Sequence, residues 1–107
     1  MKQRAEVRVE AAGRNGEVVV HVSGEIDMST ASLFRDRLTE VIQTNHNTVV
    51  VDLADVTFMD STGLAVLLQA HQRFEASGGR LVVGRTSHAV ARVLGVAGVK
   101  GRFGEPN

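Results

Sequence analysis

The chain contains no cysteine, no tryptophan and no tyrosine, and only four phenylalanines in 107 residues. Without thiols there is no disulfide, no thiolate nucleophile and no cysteine-based metal site. So few aromatic rings leave little surface on which nucleic-acid bases could stack. An excess of one charge is missing too, because 12 Lys and Arg balance 12 Asp and Glu. That balance supplies no electrostatic footprint for nucleic acid and no polybasic stretch for lipid headgroups. No run of about 18 apolar residues and no signal peptide occurs, so a soluble, cytoplasmic protein without a membrane partner is expected. The histidines, His21, His46, His71 and His88, fall in different predicted elements and show no His-x-x-x-His spacing. Neither a metal nor a cofactor is expected on that pattern. His71 lies on the apolar stripe of its helix and reads as a packed or hydrogen-bonded residue at the edge of the core.

What is present is a chain that is 43% apolar, suited to a single domain, 1–107, around one core. Residues 6–11 alternate polar and apolar, as a half-buried strand does. Asn15-Gly16 then predicts a two-residue hairpin turn, since both positions tolerate positive φ, and residues 17–23 form the return strand. Gly24-Glu25-Ile26-Asp27 leads into a helix over 30–44, with Ala31, Phe34, Leu38, Val41 and Ile42 on one stripe. Residues 48–53 read as a central strand covered on both faces, because Val49-Val50-Val51 is uniformly apolar. A second helix runs from Ser61 to about Ser77 and stops at Gly78-Gly79. Another strand spans 81–84, Ser87 caps a third helix to about Leu94, and a weak strand is expected near 99–103. The order β-β-α-β-α-β-α predicts an α/β domain, a mixed and mostly parallel sheet flanked by helices.

The most informative stretch is Phe58-Met59-Asp60-Ser61-Thr62-Gly63-Leu64. Ser, Thr and Asp suit a helix N-terminus because their oxygens accept from the unpaired first-turn N–H groups. One cap residue would suffice, yet three side chains are offered, with Gly63 leaving room for a close backbone approach. Such a terminus also suits a phosphate. Ser61 is therefore a candidate for modification, with Thr62 as a secondary acceptor. Met59 stands where a nucleophile elbow needs glycine, which argues against a serine hydrolase. In the second helix Leu64, Leu67, Leu68 and Phe74 share a face, whereas Val66 points away from it. Val66 therefore reads either as packing on a neighbouring helix or as a partner contact beside Ser61. Met28, near the start of the first helix, invites the same two readings.

Together with Gly24-Glu25-Ile26-Asp27 and Gly78-Gly79-Arg80-Leu81, this motif resembles the STAS domain, and in particular the bacterial anti-sigma factor antagonists. The resemblance runs from about Val7 to Phe103. It implies a non-enzymatic regulator whose Ser61 is phosphorylated by an anti-sigma factor serine kinase. Unphosphorylated, such a protein binds the kinase and frees a sigma factor; a serine phosphatase resets the cycle. The partner-binding surface implied comprises Glu25, Asp27, Met28, Asp60, Ser61, Thr62, Gly63 and Val66, on a monomer or weak dimer. Ala65 replaces a glycine common in the family, and family members usually continue beyond the position of Asn107 into a C-terminal helix. The alternative is a STAS scaffold or transporter-associated subunit that phosphorylation does not regulate.

Overall fold

The computed structural model describes residues 5–11, 16–44 and 47–98. Four strands, β1 (Ala5–Ala11), β2 (Val18–Ile26), β3 (Thr48–Met59) and β4 (Arg80–Thr86), form one sheet in the order β1-β2-β3-β4. β1 runs antiparallel to β2, whereas β2, β3 and β4 are mutually parallel. The three helices are α1 (Ala31–Thr44), α2 (Ser61–Ala76) and α3 (His88–Val96). This is the mixed, mostly parallel α/β arrangement expected. None of the described helices is long and apolar enough to cross a membrane.

Alternation assigns the faces. Val20 and Val22 of β2, Val49, Val51 and Leu53 of β3, and Leu81 and Val83 of β4 all point into the core. Phe34, Leu38 and Val41 of α1 meet them, as do Leu64, Leu67 and Phe74 of α2 and Val90 and Leu94 of α3. Burying one such side chain contributes about 1.5–3 kcal/mol, so the helical stripes commit these segments to the sheet. Val50, between two fully buried valines, is only half-buried. The expectation that 49–51 is covered on both faces therefore holds in full for Val49 and Val51 and only in part for Val50.

The principal difference from the sequence reading lies at the strand ends. β2 continues past Ser23 to Ile26, and β3 continues past Leu53 to Met59. The extensions pair with each other, Gly24 with Val56, Glu25 with Phe58 and Ile26 with Met59, across two register irregularities. Gly24 sits at φ +91°, the left-handed region open to glycine. Such irregularities interrupt the two-residue alternation by which a strand is recognised. What reads as two loops is therefore paired strand, and β3 delivers Asp60 directly to α2.

Other boundaries hold. Gly78, at φ +94°, follows α2; its N–H donates to Glu75 O, and that of Gly79 donates to Phe74 O at 3.0 Å. This pair of bonds is a Schellman motif. Ser87 Oγ accepts from Val90 N at 3.1 Å and caps α3. His71 Nδ1 lies 3.0 Å from Leu81 O, in keeping with a core-edge role. Of the expected hairpin turn, only Gly16 is described, at φ +72°. Asn15, His46 and the strand expected near 99–103 lie outside the described residues.

Candidate functional site

The parallel strands β2 and β3 end side by side, and each hands its chain to a helix at the same edge of the sheet. In open α/β sheets the carboxyl ends of the strands are where ligands and partners are met. Here Ile26 O accepts from Asp60 N at 3.2 Å, which joins the two turns.

The first turn is built on Asp27. Its Oδ1 accepts from Ser29 N at 2.9 Å and from Ser29 Oγ at 2.7 Å. Its carbonyl accepts from Ala31 N at 2.8 Å, starting α1. Thr30 is buried behind it, its hydroxyl donating to Glu25 O at 2.7 Å and accepting from Asp27 N at 3.0 Å. Thr30 was not distinguishable in sequence from an ordinary polar residue at a helix start. These bonds hold the 25–30 segment in one shape and leave Met28 at its crest, 82% exposed.

The second turn is built on Asp60, the N-cap of α2. Its Oδ1 accepts from Thr62 N at 3.0 Å, from Gly63 N at 3.4 Å and from the Thr62 hydroxyl. The Thr62 hydroxyl bond, opposed by burial and assisted by the two backbone N–H groups, holds the Asp60 carboxyl below the usual aspartate range. Nearby Asp27 opposes this through like charge. Ser61 thus occupies the first helical position, not the cap. Its side chain is exposed, and no hydrogen bond engages its hydroxyl among the described residues.

Six of the eight expected partner residues gather here with some exposure: Glu25, Asp27, Met28, Asp60, Ser61 and Thr62. Gly63 and Val66 do not. Gly63 is buried, and a Cβ on it would lie 2.7 Å from Ile26 Cγ2 and 3.0 Å from Met59 Cγ. The room it leaves is taken by the protein's own core, so its expected part in partner contact is corrected to one in packing. Val66 is 7% exposed and joins the core cluster where α2 packs on α1. The expectation of a docking contact at Val66 is corrected for the same reason.

The sequence reading gave no role to Phe58 or to the apolar flank of α3. Phe58 pairs with Glu25 and is 48% exposed. A phenylalanine beside a buried Met59 at a strand end is the signal that could have marked it. Beside Ser61 a shallow groove of about 360 Å³ is lined by Leu64, Val93 and Val96 together with Arg92. Ser61 is accordingly a bare hydroxyl that lines an apolar groove with Leu64, Val93 and Val96, next to the capping carboxylate of Asp60. Among the described residues no group of three or more histidines and carboxylates is placed to hold a metal ion.

The STAS-domain model matches residues 8–105. The anti-sigma F factor antagonist of Paenibacillus polymyxa is 31% identical over 94 residues, 87% of this chain and 80% of that protein. The anti-sigma-B factor antagonist of Bacillus subtilis (strain 168) is 28% identical over 94 residues, 88% of this chain and 85% of that one. Among solved structures, an anti-sigma factor antagonist from Mycobacterium paratuberculosis superposes with a TM-score of 0.80 at 29% identity, covering 94% of this chain and 84% of the other. Sequence, fold and the placement of the serine motif converge: this chain belongs to the STAS-domain family of anti-sigma factor antagonists, which are regulators and not enzymes.

Proposed function

We propose that the unphosphorylated protein binds, in the cytoplasm, an anti-sigma factor that is also a serine kinase, and so frees a sigma factor. The kinase phosphorylates Ser61, the complex separates, and a serine phosphatase restores the binding form. The observation that carries this reading is the contrast between two neighbouring hydroxyls. Thr62 is half-buried and donates to Asp60, whereas Ser61 is exposed and uncommitted among the described residues. A kinase needs a hydroxyl that can enter its active site, and that requirement favours Ser61 over Thr62.

The switch follows from charge. Phosphorylation adds about −1.5 to −2 charges at pH 7. In the free protein this charge faces solvent at a helix N-terminus and is tolerated. In a complex it would be desolvated beside Asp60 and Asp27. Loss of about 3 kcal/mol of binding weakens a complex by roughly two orders of magnitude, enough to release a partner without a change of fold.

The test is incubation with the candidate anti-sigma kinase and ATP, followed by intact mass and peptide mapping. One phosphate on Ser61, absent from Ser61→Ala, is expected. Full phosphorylation of Ser61→Ala on Thr62 would overturn the assignment.

A further inference from the structure

Away from Ser61, a groove of about 450 Å³ runs between α1 and α2. That volume lies within the range of small-molecule sites. Its apolar lining is the half-buried Ile42 of α1 over the buried Val66, Ala70 and Phe74 of α2. Its charged lining is of one sign only, Arg35 and Arg73, with no acidic side chain in the wall. α1 and α2 both return between parallel strands, so they run in the same direction. Arg35, in the second turn of α1, and Arg73, in the last turn of α2, therefore stand towards opposite ends of the groove. The guanidinium of Arg35 has Asp36 at 3.4 Å, both on the exposed side of α1. Arg73 makes no ion pair among the described residues. Gln69 supplies a neutral amide along the wall.

An apolar trough with a cation near each end complements an elongated molecule with an apolar body and a negative terminus. We propose that this groove is a binding site for a small amphipathic carboxylate, an aliphatic chain lying along Ile42 and the outer edges of Val66 and Ala70 with its carboxylate held by Arg73 or Arg35. Ser61 lies 12 residues before Arg73, about 18 Å along the axis of α2. The site is thus separate from the serine motif, and its occupancy does not depend on whether Ser61 is modified.

The test is titration of octanoate, with octanamide as a neutral comparator, into the isotopically labelled 107-residue chain followed by NMR. Octanoate should shift backbone amides within 39–43 and 66–74 along saturable curves, with octanamide binding at least about tenfold more weakly. Arg35→Gln and Arg73→Gln, alone and together, alter exposed side chains and should leave the melting temperature unchanged. The double variant should lose the preference for octanoate over octanamide. Three results would each overturn the proposal: no saturable shifts, shifts centred elsewhere on the surface, or equal binding of the acid and the amide by the unmodified protein. An unaltered preference in both single variants and the double variant would do the same.

Discussion

At the scale of single residues, the neighbours Asp60, Ser61, Thr62 and Gly63 divide the work of one helix start. Asp60 caps, Thr62 supports the cap, Gly63 lets the helix approach the sheet, and Ser61 is left facing outwards. Ser61→Asp should therefore fold normally, since an acidic side chain in the first turn of a helix changes stability by no more than about 1 kcal/mol. Calorimetry against the anti-sigma kinase should show binding lost; unchanged affinity would exclude charge as the release mechanism. Gly63→Ala should behave oppositely. Alanine favours a helix over glycine by about 1 kcal/mol, but the new Cβ meets Ile26 at 2.7 Å. Overpacking of that kind costs typically 1–3 kcal/mol. Urea unfolding should show net destabilisation, which a helix-propensity argument alone would assign the wrong sign.

At the scale of elements, the pairing of α1 with α2 decides the role of Val66. The stripe of α2 broadens to include Val66 and Ala70 because the helix must satisfy α1 as well as the sheet. Val66→Asp would force a carboxylate into that contact, where Val66 is 7% exposed and only its outer edge faces the groove between the helices. A loss of several kcal/mol is expected, seen as a sharp fall in melting temperature. If the variant melted normally and failed only to bind a partner, the packing assigned to Val66 would be wrong. The periodicity of α2 left both readings open, since a wide apolar surface looks the same whether a helix or a partner covers it. The extended ends of β2 and β3 were illegible for a related reason: glycine and polar residues there break alternation, and only pairing between the two strands makes them regular.

At the scale of the whole molecule, one polar cluster crosses the sheet on the face opposite the main core. His21 of β2 lies 2.8 Å from both Asp52 of β3 and Glu10 of β1, and Arg85 of β4 donates to Asp52 at 2.6 Å. All four strands contribute. Burial raises the Asp52 carboxyl, but its hydrogen bonds with Arg85, the Ala54 N–H and His21 outweigh this and hold it below the usual range. Asp60 is also held below that range. A carboxylate with a depressed folded pKa stabilises the protein above its unfolded value of about 3.9, and the contribution is lost as pH falls through the folded value. Denaturant midpoints should thus be level near neutrality and fall below about pH 4. Asp52→Asn and Asp60→Asn should each be less stable at pH 7, with the gap to the unmodified protein closing in acid. A gap that stayed constant with pH would mean that neither carboxylate acts through its charge.

The order of elements, the stripes of α1 and α2, the Gly78 stop, the Ser87 cap and the serine motif were all determined by the sequence alone. Each depends on residues near one another in the chain, through periodicity, capping or backbone freedom, and such local rules can be read in one dimension. The tertiary structure decided which of Asp60, Ser61 and Thr62 caps and which is exposed. It also decided that Gly63 and Val66 serve the core, that Val93 and Val96 line a groove with Ser61, and that Asp52 gathers partners from two other strands. Those outcomes depend on what lies across from a residue in space. A side chain's exposure is set by neighbours distant in sequence, and burial becomes definite only when the strands are paired and the helices have settled on them.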